Sequence, residues 1–133
     1  MRFRVVAVTQ DAFQSWLTQH QTAPPPPPDN VRQLFIQRGC IGCHSISGFP
    51  EAIGQVGPNL TYFGSRETIA GGALTNTPDN LKLWLHDPGA VKPGNTMSTV
   101  IGPGKNMLSD QEIDALIGYL EGMQLQVAKP EPR

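Results

Sequence analysis

Both cysteines of this 133-residue chain stand in one five-residue stretch, Cys40-Ile41-Gly42-Cys43-His44. No further cysteine exists to build a disulfide framework, so the pair serves one local purpose. Three chemistries use such a spacing. Two thiols three residues apart can each bond one vinyl group of a porphyrin, and the adjacent histidine then faces the iron. A Cys-Xaa-Xaa-Cys pair can instead cycle between dithiol and disulfide, with one thiol activated at a helix N-terminus. The pair can also supply part of a zinc site. The redox reading expects a preceding strand in a βαβ unit, whereas here a helical pattern precedes and no sheet is available. Zinc would need a fourth ligand, and no cysteine remains. Covalent attachment of one haem through Cys40 and Cys43, with His44 as an axial ligand, accounts for every residue of the motif.

A haem would also answer a weakness of composition. Hydrophobic residues make up 38% of the chain, against 13 prolines and 14 glycines. A loop-rich chain of this size needs a staple such as a metal or cofactor. The net charge of −1 offers no basic field, so nucleic acid is not an expected partner. No apolar run approaches the ~20 residues of a membrane helix. The opening "MRFRVVAVTQDAF" breaks at Gln10 and Asp11 without a small-residue cleavage site, which argues against a signal peptide.

Residues 2–9 are β-branched and read as a strand, and residues 10–20 carry Phe13, Trp16 and Leu17 at helical spacing. Five prolines follow, which favour polyproline II, a semi-rigid spacer of about 3 Å per residue. A lone strand is not stable alone. Residues 1–22 therefore read as the end of a different domain, and 23–28 as a linker. Beyond it, Asp29 or Asn30 can cap a helix through Val31, Leu34 and Phe35, ended by Gly39. Thr77 and Pro78 start a second helix with a Leu81, Trp84 and Leu85 stripe, which Pro88 stops. Ser109 and Glu112 form a capping box for a third helix, with Ile113, Leu116, Ile117 and Leu120 facing inward. No second strand is expected after the spacer. The main domain, residues 29–127, is read as all-α, with three main helices and long loops wrapped around one group, and 128–133 as a frayed tail.

An electron carrier with a haem wants a second axial ligand, and methionine sulfur raises the potential. Met123 lies in a helix and Met1 in the N-terminal piece. Met97 and Met107 share the loop before the last helix. Met97 is favoured because Pro93 and Gly94 can turn the chain just before it. His86 reads as a solvated helix end.

The ordered motifs "CIGCH", "GPNL" at 57–60, Arg66, "NLKLWLHDP" at 80–88, "KPGNTM" at 92–97 and a last helix with Tyr119 resemble the class I (mitochondrial-type) cytochromes c over residues 29–125. The resemblance implies further roles. Pro58 offers its carbonyl to His44 Nδ1–H. Arg66 binds a haem propionate. Trp84 packs on the haem beside the methionine and gives its indole N–H to a polar partner. Asn95 bonds a propionate, Asn59, Leu81 and Leu85 line the pocket, and Phe35 pairs with Tyr119 where the first and last helices cross. Two positions depart from the family. Val31 stands near its usual helix-crossing glycine, with Gly118 as a substitute. Asn76 or a neighbour replaces a tryptophan before the second helix.

"MRFRVVAVTQDAFQSWL" resembles the last strand and closing segment of the cupredoxin domain of cytochrome c oxidase subunit II. Met1 occupies the position of a copper ligand or is an initiator; the other copper ligands are missing here. A cytochrome c joined to subunit II is the arrangement of caa-type oxidases. The resemblance implies an excised monomeric fragment that passes electrons from a quinol-oxidising complex or small soluble carrier to the binuclear copper centre of its own subunit. It would work on the extracytoplasmic face of a bacterial membrane, anchored through the parent. The isolated domain would perform no bond chemistry, while the parent complex reduces oxygen and pumps protons. The alternatives are a free-standing periplasmic cytochrome c, a peroxidase-like haem enzyme if Met97 does not coordinate, or a thiol–disulfide redox module.

Overall fold

Local capping chemistry sets most of the helix boundaries. A computed structural model describes residues 5–125 of the chain. Its helices are α1 (Gln10–Gln21), α2 (Asp29–Gln37), α3 (Pro78–His86), α4 (Pro88–Val91) and α5 (Asp110–Gly122). Thr77 caps α3 by accepting from Asn80 N–H, with Pro78 in the first turn where its missing N–H costs nothing. Asp87 closes α3 and caps the short α4, whose first residue is Pro88. Ser109 and Glu112 form the full capping box of α5, at 3.3 and 2.8 Å. Helix α2 differs from expectation. Pro28 precedes it without a side-chain cap, and Asp29 lies inside the first turn, its carboxylate near the positive helix end. Gly39, at φ 76°, terminates the helix in the left-handed conformation that glycine adopts freely.

The apolar stripes then converge. Val31, Leu34 and Phe35 of α2, Leu81 and Leu85 of α3, and Ile113, Leu116 and Leu120 of α5 are all buried in one core. Phe35 meets Tyr119 edge to face, with centroids 6.2 Å apart and planes at 86°. Such an aromatic pair adds about 1 kcal/mol beyond its buried area. The close approach of the first and last helices expected at Gly118 is not found. A side chain at Gly118 would meet open space, whereas one at Gly64 would collide with the Glu121 carbonyl at the end of α5. Gly64 N–H also donates to the Met123 carbonyl at 3.1 Å.

Arg38 locks α2 to α5. Its guanidinium donates to Glu112 Oε1 at 2.6 and 2.9 Å and to Asn106 at 3.1 Å. Asn106 in turn donates to the Arg38 carbonyl at 2.8 Å.

Two expectations about strands change. A minimal antiparallel hairpin pairs β1 (Thr68–Ile69) with β2 (Leu74–Thr75). Its turn is made by Ala70, Gly71 and Gly72, all at positive φ. Residues 5–9 form no strand and pair with no strand among the described residues; residues 1–4 lie outside the described residues. Helix α1 forms as expected and buries no residue, leaving Phe13 and Trp16 well exposed. Within the proline stretch, Pro24 and Pro27 are buried against the rest of the chain. The expected tail lies outside the described residues.

The Ser109 backbone N–H, and after it Arg38, holds the Glu112 carboxyl below its ordinary value of 4.5. A depressed carboxyl adds stability above its unfolded pKa and loses it as pH falls through the folded one. Urea midpoints should therefore drop as pH falls below about 4.5, and Glu112→Gln should flatten that drop. An unchanged pH slope in the variant would refute the assignment.

Candidate haem site

The site begins where α2 ends. The left-handed turn at Gly39 leads into a tight 3₁₀ turn over Cys40–Gly42. The Cys40 carbonyl accepts from Cys43 N–H at 3.2 Å and His44 N–H at 2.9 Å. One turn of chain thus carries two thiols and an imidazole. Both thiols are unpaired and half-buried. Burial pushes the Cys40 thiol up to about 11, so it keeps its proton at neutral pH. A dithiol catalyst needs the opposite, a thiol poised to ionise.

The His44 ring is oriented from behind. Nδ1 lies 2.8 Å from the Pro58 carbonyl, which makes Nδ1 the protonated nitrogen and leaves Nε2 free to bind a metal. The loop that carries Pro58 wraps the motif closely. Gly54 N–H donates to the carbonyls of Ile41 and His44, both at 3.1 Å, and Gly57 N–H to Cys43 at 2.8 Å. A Cβ on Gly57 would sit 2.5 Å from the imidazole Cε1, and one on Gly54 would collide with the Cys43 backbone. These two glycines do as much to build the site as the residues picked from sequence. "GPNL" marked one of them, but its contact with the ring needed coordinates.

Among the methionines, Met97 is half-buried and packs against the core. Met107 is 54% exposed and Met123 is buried at the end of α5. The loop around Met97 is shaped by Asn95. Its Oδ1 accepts from Ser98 N–H at 2.9 Å, and its amide donates to the Pro88 and Lys92 carbonyls at 2.7 and 2.5 Å. Asn95 thus spends both amide hydrogens on the backbone of the methionine loop rather than holding them for a propionate. His86 is exposed at the end of α3.

Arg66 is half-buried, donates to the Asn59 carbonyl and lies over the Phe63 ring, 5.3 Å from its centroid. Burial lowers its pKa, yet a guanidinium stays charged at neutral pH. Asn59 turns the chain by accepting Thr61 N–H on its side chain at 2.8 Å. Leu81 and Leu85 are core, and Trp84 lies half-buried against it. The indole N–H makes no hydrogen bond to the described residues. Asn76 donates to the Phe63 carbonyl at 3.1 Å, while its own side-chain oxygen is buried and unpartnered.

These donors fit a covalently held haem. Both thiols are unpaired, burial keeps the Cys40 thiol protonated, the imidazole is fixed in the metal-binding tautomer, and glycines let the Pro58 loop close against the ring. They fit zinc poorly, because no group of three His, Cys, Asp or Glu side chains converges among the described residues.

Residues 28–124 match the family model for cytochrome c. The chain is also similar to proteins named cytochrome c oxidase subunit 2. Identity is 36% with that of Bacillus sp. (strain PS3), over 95% of this chain and 36% of the relative. It is 34% with that of Alkalihalophilus pseudofirmus, over 94% and 35%, and 32% with that of Bacillus subtilis, over 95% and 36%. The chain thus spans about a third of the length of these relatives. No helix among the described residues is long and apolar enough to cross a membrane. Motif, all-α fold and family match agree, and the chain belongs to the cytochrome c family of haem-binding proteins.

Proposed function

We propose that this chain is a mono-haem electron-transfer domain of a caa-type cytochrome c oxidase. The observation that carries this reading is the His44–Pro58 hydrogen bond beside two unpaired cysteines. Haem, when bound, supplies an iron that takes up and returns one electron. Cys40 and Cys43 would tether it through their sulfurs. His44 Nε2 and the Met97 sulfur would both hold the iron, which would set the domain apart from a peroxidase. The Pro58 carbonyl and the Gly57 backbone hold the His44 ring in place. Arg66 offers a charge to a propionate, while Trp84, Leu81 and Leu85 keep water away from the group.

The oxidase assignment draws on the names of the relatives and on the N-terminal segment that resembles subunit II. In this reading residues 1–22 close the copper domain, 23–28 connect, 29–127 hold the haem and 128–133 trail. The electron acceptor is the binuclear copper centre of the same subunit, and the donor is a quinol-oxidising complex or small carrier. The site of action is the extracytoplasmic face of the membrane.

The surface around the motif has a charge pattern that favours close, tethered exchange. From Gly39 to Ser65 the only charged residue is Glu51, and it pairs with Arg32. Ile53 and Val56 stand 75% and 70% exposed in that stretch. Lys82 sits 3.5 Å from both Asp110 and Asp114, which mask its charge. Long-range steering by lysines is therefore weak.

Three measurements test the reading. The oxidised protein should show a methionine-sulfur-to-iron charge-transfer band that Met97→Ala abolishes and Met107→Leu retains; the reverse pattern would overturn the ligand assignment. Gly57→Ala should push the imidazole off its bond to Pro58 and weaken the axial field, read as a shift toward high-spin absorption. Electron transfer to the oxidase should change less than about threefold between low and physiological salt, since few unpaired charges around the motif are there for salt to screen. Rates that collapse with added salt would contradict a tethered, charge-poor contact.

A further inference from the structure

Polyproline II has three residues per turn, so residues three apart share one edge. Of Pro24–Pro28, Pro24 and Pro27 are buried, while Pro25, Pro26 and Pro28 are exposed. A free spacer would bury none of them, and an irregular collapse would show no period.

The receiving surface is shaped for this edge. Gly48 lies so close that a Cβ there would sit 2.6 Å from the Pro24 carbonyl and 3.5 Å from Ala23 Cβ. Tyr62 donates its hydroxyl to the Thr22 carbonyl at 2.6 Å and stacks on His20, with ring centroids 5.7 Å apart. Its backbone is held at φ 53°, a conformation costly for a bulky residue and retained only where the surroundings impose it. The segment, through Pro24, Pro25, Pro26 and Pro28, lines a cleft of about 760 Å³ together with Val31, Tyr119 and Met123. An aromatic and small-residue groove facing successive turns of a proline helix is the general form of polyproline recognition.

We infer that the haem-binding domain carries a polyproline II-binding groove, centred on Gly48 and Tyr62, whose ligand is this chain's own segment Ala23–Pro28. The segment is then a strap rather than a spacer. It carries α1 back onto the domain through His20 and Tyr62, so the N-terminal piece has a set orientation relative to the haem site. This goes beyond the electron-transfer reading and does not depend on it.

The test compares two double variants of the haem-loaded full chain that lose the same number of prolines. Pro24→Ser with Pro27→Ser removes the buried edge; Pro25→Ser with Pro26→Ser removes the exposed one. Proteinase K cleavage within residues 16–23, followed by mass, reports opening of the strap. The buried-edge pair should be cut about tenfold faster, equivalent to 1.4 kcal/mol of lost docking, and the exposed-edge pair at the parent rate. Equal acceleration in both pairs, or none in either, would overturn the proposal. Should the buried-edge pair fail to fold, Tyr62→Phe decides. It keeps the ring and loses the bond to Thr22, so faster cleavage supports the groove and an unchanged rate sinks it.

Discussion

The hydrogen bond from His44 to the Pro58 carbonyl is the constraint around which the rest is arranged. An imidazole can ligate a metal only if one nitrogen is free and the ring is held in place, and a backbone carbonyl does both without adding charge. That carbonyl must approach from a loop pressed against the motif. Such a loop requires residues without side chains at 54 and 57, where any Cβ would strike the Cys43 backbone or the ring itself. The next turn of chain is then fixed in its own way. Leu60 N–H reaches back to the Ser45 carbonyl at 2.8 Å, and Arg66 holds the Asn59 carbonyl. A long loop with little regular structure becomes rigid because each carbonyl that leaves a helix or turn finds a nearby donor.

The helices provide the frame for that loop. The α2–α5 crossing sets where Cys40 emerges, since the motif follows α2 directly. Phe35 against Tyr119 gives the crossing its apolar contact, and Arg38 with Glu112 and Asn106 fixes its register. Glu112 serves both the α5 cap and this latch, so the start of one helix and the end of another are coupled through a single carboxylate. The Met97 loop is organised by the same economy, with Asn95 closing it onto Pro88 at the start of α4.

The proline segment joins this frame from outside. Its stiffness means that little conformational entropy is lost when it docks, which favours binding over flexible tethering. A strap on Tyr62 and a haem ligand loop ending at Leu60 lie within the same short stretch of chain. The orientation of the N-terminal piece and the geometry of the site therefore share structural support.

Sequence by itself determined the local structure. Thr77 and Pro78, Ser109 and Glu112, and Gly39 mark helix ends because capping is a matter of neighbouring residues, and the Cys-Xaa-Xaa-Cys-His spacing defines its chemistry within one turn. Periodicity identified Phe35, Leu81 and Ile113 as core. Other features depended on residues far apart in the chain. Gly64 is crowded against the end of α5 while Gly118 is open, Asn95 bonds backbone, Arg38 reaches Glu112, Pro24 and Pro27 are buried, and Gly48 lies against the Pro24 carbonyl. Residues three or four apart carry their geometry in their order, because helix and turn fix it. Contacts across 20 or 70 residues have no such rule, and only the packed tertiary structure decides which glycine is crowded and which proline is buried.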